Sequence, residues 1–304
     1  GNNFPAVAVP HGFNFWTPVT NAGSNWLYRY QDRNGPDNRP RIEAFQLSHE
    51  PSPWMGERQT FQVMPAQVAS GAPALKRETR ALSFGHDAGL ARPDYYRVGF
   101  DNGIVTEMTP TDHAAMFRFT FTGKRAQLVF DDLNDKAAVT LDPTGRAIQD
   151  WSDVKSSLST GATRLFFYAT FDRPVKASGR LTGEKRDAAS AWFGFDTASS
   201  DGKTVTMRIA TSLIGVEQAK ANLAQEIADA DTFDSVRERA RTAWDEQLGI
   251  VKVEGASPDE LTTLYSNLYR LFLYPNHAYE NAGTNEAPSW RSASPFSAPA
   301  GENT

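Results

Sequence analysis

The stretch Tyr95-Tyr96-Arg97-Val98-Gly99-Phe100-Asp101-Asn102-Gly103-Ile104-Val105-Thr106 reads as two strands joined by a tight turn. Aromatic and β-branched residues suit a pleated surface on either side, and Asp-Asn-Gly between them tolerates the positive φ that a hairpin loop needs. The same grammar continues outward in both directions. Short β-rich runs fall at Gln59–Met64, Ile104–Thr109, Ala114–Thr120, Gln127–Phe130, Ala137–Leu141, Arg164–Phe171, Ala191–Phe195 and Thr204–Ile209. Turn material separates them, as in Thr122-Gly123-Lys124 and Asp142-Pro143-Thr144-Gly145. No long helical period is interleaved, so residues 1–215 are predicted to form an antiparallel β-sandwich rather than a βαβ fold. Within this span residues 1–60 read as aromatic-rich loop, because their Gly, Pro and Asn residues break any period.

The period changes after residue 215. Val216–Ile227 reads as a helix, and Phe233, Val236, Ala240, Trp244 and Leu248 recur at three to four residues in a second one that Gly249 stops. This pair forms a helical linker over residues 216–256, with a short strand read at Val251–Glu254. Ser257-Pro258-Asp259-Glu260 then supplies an N-cap, a proline at the first helical position and a glutamate three residues on, which is a capping box. The helix it opens carries Leu261, Leu264, Tyr265, Leu268, Leu271 and Phe272 and ends before Pro275. Its wide apolar face suits burial among other helices, as in a helical toroid or bundle. Residues 276–304 read as extended loop. The expectation is a truncated helical domain over 257–304, completed by further chain or by a partner that carries it.

Composition narrows the function classes. The chain has 31 Lys and Arg against 36 Asp and Glu, and this net charge of -5 argues against nucleic acid as the main partner. The absence of cysteine removes disulfides, thiolate metal sites and cysteine nucleophiles. No apolar run of transmembrane length is present, so no transmembrane segment is read. The chain opens on Gly1 rather than Met, which is consistent with a processed or omitted start.

Few residues announce chemistry by spacing. The histidines His11, His49, His86, His113 and His277 form no His-x-x-x-His pair, so zinc chemistry is not predicted. Asp131-Asp132, with Asp135, follows a strand and reads as a solvated turn. The dense segment is Ile42–Gly56, where His49, Glu50 and Trp54 stand together on a proline-stiffened loop. A sugar pocket uses such a set, a ring to stack and polar groups to meet hydroxyls, but Trp54 filling core space is an equal reading. Trp26, Tyr28 and Tyr30 are spaced by two, as either one face of a buried strand or an exposed aromatic platform. Asn276 and His277, just past the last helix, are placed to reach a pocket at a toroid's end.

Three segments carry a family resemblance: Asn3–Phe13, the Ser48-His49-Glu50-Pro51-Ser52-Pro53-Trp54 stretch, and Leu264–Arg270 with Pro275-Asn276. On these the chain resembles the amino-terminal part of glycoside hydrolase family 92, calcium-dependent exo-acting α-mannosidases. The resemblance implies a mainly β fold, an antiparallel β-sandwich followed by a linker helix and the start of an (α/α)6 helical barrel. It further implies an α-mannoside glycan substrate, hydrolysis with inversion, a pocket at the domain interface, and a secreted or periplasmic location. The catalytic acid, the base and the calcium ligands are then expected beyond residue 304. Trp26, His49, Glu50 and Trp54 are the positions it assigns to sugar contact. A carbohydrate-binding or scaffolding module, and a glycosidase for another terminal sugar, stand as alternatives.

Overall fold

Strict alternation along Arg164–Phe171 sets the logic of the fold, with Leu165, Phe167, Ala169 and Phe171 buried and the residues between them only half-buried. The computed structural model of the protein describes residues 4–22, 27–31, 39–48, 61–132, 136–153, 164–183, 189–199 and 202–293. In chain order the elements are β1 (Phe15–Val19), β2 (Arg41–Ile42), β3 (Ala44–Ser48), β4 (Gln62–Gln67), α1 (Arg77–Arg80), β5 (Leu82–Arg92), β6 (Tyr95–Phe100), β7 (Val105–Pro110), β8 (Ala114–Thr120) and β9 (Arg125–Asp131). There follow β10 (Ala137–Asp142), β11 (Ala147–Asp153), β12 (Arg164–Phe171), β13 (Val175–Gly179), β14 (Ser190–Asp196) and β15 (Thr204–Ser212). The chain then turns helical in α2 (Val216–Glu226), α3 (Phe233–Leu248) and α4 (Pro258–Leu273), and closes on a hairpin of β16 (Tyr279–Asn281) and β17 (Trp290–Ser292).

Strands β1–β15 make two antiparallel sheets. One has six strands in the order β1-β3-β4-β9-β14-β13, and the other nine in the order β10-β11-β12-β15-β8-β7-β6-β5-β2. Side chains from both inner faces interdigitate in one core that includes Phe45, Phe61, Phe117, Phe119, Phe130, Phe167 and Phe193. The β6–β7 turn forms as its residues demand: Phe100 N–H donates to the Ile104 carbonyl at 2.8 Å, and Gly103 takes φ +86.

The nine-stranded sheet is also covered on the middle of its outer face. Met116, Ala114 and Ala210 project away from the inner core and meet Leu223, Ile227, Phe233 and Val236 from α2 and α3. Both later helices start on capping boxes, Thr232 with Ser235 for α3 and Ser257 with Glu260 for α4. The N-terminal segment threads between this layer and α4. Ala6, Ala8 and Phe15 pack with Trp244, Leu273 and the partly buried Tyr269 and Phe272.

Several expectations need correction. The described residues of 1–60 include three strands, because β1 and β3 pair with each other and β2 with β5, finding their hydrogen bonds across the chain rather than in a local pattern. Val251–Glu254 forms no strand and pairs with none among the described residues. The stretch after Pro275 is not all loop, since Tyr279 pairs with Ser292 and Asn281 with Trp290. Asp131 and Asp132 are no solvated turn. They are 5% and 2% exposed, with the Arg80 guanidinium against the Asp131 carboxylate and Arg77 Nη2 donating to both backbone carbonyls at 2.9 and 2.8 Å. Apart from these corrections, the apolar face of α4 is partly open among the described residues: Leu271 is 61% exposed and Leu273 alone of the helix is buried.

Candidate functional site

Where the sandwich, α2, α3 and the segment after α4 meet, a groove of about 700 Å³ opens, bordered by His11, Asp112, Glu226, Arg239, His277 and Tyr279. Each wall has a local cause. His11 sits at the bend of the N-terminal segment with φ +55, its N–H donating to the Phe272 carbonyl at 2.7 Å. Asp112 and His113 occupy the short β7–β8 connection, where Thr111 N–H donates to the Ala114 carbonyl at 2.8 Å. Glu226 is the last residue of α2. His277 follows the Pro275 that stops α4, and its N–H reaches back to the His11 carbonyl at 3.2 Å.

These groups form one connected network. Asp112 Oδ1 accepts from the Phe13 N–H at 2.9 Å, and both Asp112 oxygens lie 2.7 Å from His277 Nε2. His113 Nδ1 lies 2.6 Å from Glu226 Oε1, and His113 Nε2 lies 3.0 Å from the Tyr279 carbonyl oxygen. Glu226 is itself fixed by Thr111 Oγ1 at 2.5 Å and by the His113 N–H at 2.9 Å. Beneath them Glu280 is fully buried, accepting from Leu213 N–H at 2.8 Å and from Asn222 Nδ2 at 2.9 Å.

The electrostatics follow from this packing. Burial works against charge on Asp112, yet the His277 hydrogen bond and the two nearby imidazoles hold its carboxyl below the usual range. Burial likewise opposes an imidazolium at His113, but the Glu226 bond and the charges of Glu226, Asp112 and Glu280 outweigh it and raise the pKa to about 9. For Glu280 burial wins over its hydrogen bonds and the carboxyl is pushed up.

Asp112, His113 and His277 each bring one potential ligand atom within 4.8 Å of the others, which is metal-site spacing. The donors are already committed, however: both His113 nitrogens and the Asp112-facing nitrogen of His277 are in hydrogen bonds. Calcium prefers a shell of six to eight oxygens, and an imidazole-rich trio does not fit it.

The sequence-predicted sugar positions Trp26, His49, Glu50 and Trp54 lie outside the described residues. Of their neighbours, Tyr30 sits at a turn rather than in a strand, 57% exposed and stacked on His86 with ring centroids 3.8 Å apart. His277 borders the groove, as its position past the last helix suggests. Asp112, His113 and Glu226 carry no motif, and the one local sign is the pair Asp112-His113 at a strand connection.

Comparison with known proteins extends these observations. Residues 1–212 match the glycosyl hydrolase family 92 N-terminal domain, and residues 218–302 match the glycosyl hydrolase family 92 catalytic domain. The fold superposes on a family 92 inverting mannosidase of Bacteroides thetaiotaomicron with a TM-score of 0.84 and 32% identity, covering 97% of this chain and 40% of that one. A second B. thetaiotaomicron structure, a family 92 α-mannosidase in complex with mannoimidazole, shares the fold at a TM-score of 0.77 and 22% identity, over 97% of this chain and 41% of that one. An uncharacterised secreted glycosidase of Arthroderma benhamiae is 29% identical over 254 residues, 72% of this chain and 32% of that protein. The chain therefore spans about a third of the curated relative and about two fifths of the solved ones. With both matched domains in tandem on a two-sheet sandwich that leads into helices, the chain belongs to glycosyl hydrolase family 92.

Proposed function

We propose that the complete protein is an exo-acting glycoside hydrolase that removes terminal α-linked mannose from glycans with inversion of configuration. In this reading residues 1–215 are the sandwich domain, 216–256 the helical linker and 257–304 the start of the (α/α)6 catalytic domain. The observation that carries the proposal is the likeness to an inverting mannosidase at 32% identity across 97% of the chain. The open face of α4 supports it: Leu271 at 61% exposure, together with Ile250 at 66%, is apolar surface suited to the remaining helices of that domain.

Inversion requires one carboxylic acid to protonate the leaving oxygen and a second carboxylate to activate water on the opposite face of the sugar. Both groups, and calcium ligands, belong in this reading to chain beyond residue 304, and calcium when bound there helps to hold and distort the sugar ring. The part of the present chain is to bind and orient. Trp26 and Trp54 would stack on sugar faces while His49 and Glu50 meet hydroxyls. The described chain runs up to this segment at Ser48, opposite Phe15 in the sheet, and Phe15 packs against Trp244 and Leu273 of the helical layer. That end of the sheet therefore lies at the junction of sandwich and helices. Export from the cell fits the glycan substrate and the secreted relative. No helix of the described residues is long and apolar enough to cross a membrane.

The test is mannose release from α-linked mannobioses by the complete protein, with calcium and again after chelation. Calcium-dependent release with an initially β-configured product supports the proposal. A folded protein that releases no mannose from any linkage under either condition overturns it, in favour of another glycan or a binding role.

A further inference from the structure

His113 is 4% exposed and its ring meets acceptors from two distant parts of the chain. Nε2 faces the Tyr279 carbonyl at 3.0 Å, and a carbonyl oxygen can only accept, so Nε2 carries a hydrogen. Nδ1 faces Glu226 Oε1 at 2.6 Å. Glu226 Oε2 already accepts from Thr111 Oγ1 at 2.5 Å and from the His113 N–H at 2.9 Å, and Oε1 accepts from the same N–H at 3.2 Å, so both carboxyl oxygens act as acceptors. A neutral His113 ring would aim a bare lone pair at that carboxylate, so only the doubly protonated ring satisfies both partners.

We infer that His113 is a positioning residue, a proton-held clamp that fastens the 277–281 segment and the end of α2 to the β7–β8 connection of the sandwich. The two partners lie 113 and 166 residues away in sequence, so the clamp joins parts of the fold that share no local structure. The groups that face it favour the proton. From its own connection comes Asp112, whose Oδ2 is 3.6 Å from Nδ1. From α2 comes Glu226, and from the post-α4 segment Glu280, fully buried beneath, and His277, whose ring centroid is 5.5 Å away and whose Nε2 is taken by Asp112. The N-terminal segment adds the uncharged Phe13 ring at 4.5 Å, with His11 bordering the same groove. On α3, Arg239 also borders the groove but is paired with Asp231 at 2.6 Å.

The consequence is a directional pH response. While the ring is protonated the segment is held. As pH rises through about 9 the Nδ1 proton leaves and Glu226 faces a bare lone pair instead of a donor, so the ring that presents Nε2–H to the Tyr279 carbonyl loses its anchor on α2 and the segment it holds loosens. This inference does not depend on which glycan the protein cleaves.

Hydrogen exchange on the full-length protein tests it, with rates corrected for intrinsic pH dependence and amides of the sandwich core as the internal reference. The protection factor of amides in 277–292 is expected to fall roughly ten- to hundred-fold between pH 7 and pH 10, while the β8–β15 ladder stays protected. His113→Gln is expected to abolish that dependence. Glu226→Gln, which keeps a polar side chain of the same length but removes the charge, should move the midpoint to lower pH. Protection that stays flat to pH 10 in the unmodified protein overturns the inference, even if His113→Gln does not fold. An unchanged midpoint in Glu226→Gln, or an unchanged pH dependence in His113→Gln, overturns it as well.

Discussion

Trp244 donates its indole N–H to the carbonyl oxygen of Ala8 at 2.6 Å, across 236 residues of sequence. Both groups are buried, so neither has water as an alternative partner. Tyr269 repeats the device one helix away, its hydroxyl donating to the Ala6 carbonyl at 2.7 Å. The N-terminal segment is thus stapled to α3 and α4 by its backbone as well as by its apolar side chains. Replacing Trp244 with Phe should keep most of the packing but strand the Ala8 carbonyl, costing about 1–3 kcal/mol. Trp244→Ala should cost about 3–5 kcal/mol. Urea unfolding of the full-length protein checks both, with the difference between the two variants separating hydrogen bond from packing.

Asp131 stands between two arginines at the end of β9, the Arg80 guanidinium bonded to its carboxylate and Arg77 Nη2 3.3 Å from it. Arg80 also donates to the Ala74 and Leu75 carbonyls at 2.7 and 2.5 Å, which fixes the loop before α1. Asp131→Asn leaves a buried guanidinium without its counter-charge. The expected loss is about 3–5 kcal/mol, read as a lowered denaturant midpoint. A loss below about 1 kcal/mol would return this pair to the class of weak surface bridges.

Glu107 accepts from Tyr95 Oη at 2.6 Å and from Arg118 Nε and Nη2 at 2.7 and 2.8 Å. Burial opposes its charge, but these three donors prevail and its carboxyl lies below the ordinary value, while Tyr95 is pushed up to about 12 by burial and by Glu107. A depressed carboxyl contributes stability above its unfolded pKa, and that contribution disappears as pH falls through the folded value. The melting temperature of the protein should therefore drop on acidification from about pH 5 to pH 3 by more than that of Glu107→Gln. Equal slopes in the two proteins would remove Glu107 from the acid response.

The proposed sugar contacts are testable in the complete enzyme. Trp54→Ala should lower kcat/KM for an α-mannoside by roughly ten-fold or more, with a smaller effect on the melting temperature. The reverse result, unchanged efficiency with a large loss of stability, assigns Trp54 to the core. His49→Ala and Trp26→Phe measured on the same substrate distinguish a polar contact from a stacking one.

Much of the fold was legible because its signals are local. Arg164–Phe171, Ala114–Thr120 and Phe233–Leu248 have the bounds that alternation and helical period suggest. Ser257-Pro258-Asp259-Glu260 formed the capping box its residue types specify. The missed strands had no such signature. β1 contains Pro18 and β5 is broken by an irregularity between Phe84 and Gly89, so each depends on its neighbours rather than on its own pattern, while β4, read at Gln59–Met64, runs over Gln62–Gln67 through Pro65. The candidate groove was legible only at His277, because Asp112, His113 and Glu226 sit on separate elements with no fixed spacing.

By itself the sequence determined that strands precede helices, where turns and caps fall, and which family the chain resembles. Those are properties of neighbouring residues: alternation by two, recurrence near 3.6, and side chains that satisfy a nearby backbone group. Tertiary structure alone decided the strand order, the burial of Asp131 and Asp132, and the meeting of Phe13, His113 and His277 around one network. Each of these depends on which distant groups share a low-dielectric interior. Only there does a carboxylate need a specific arginine, or an imidazole keep a proton that water would otherwise take from it.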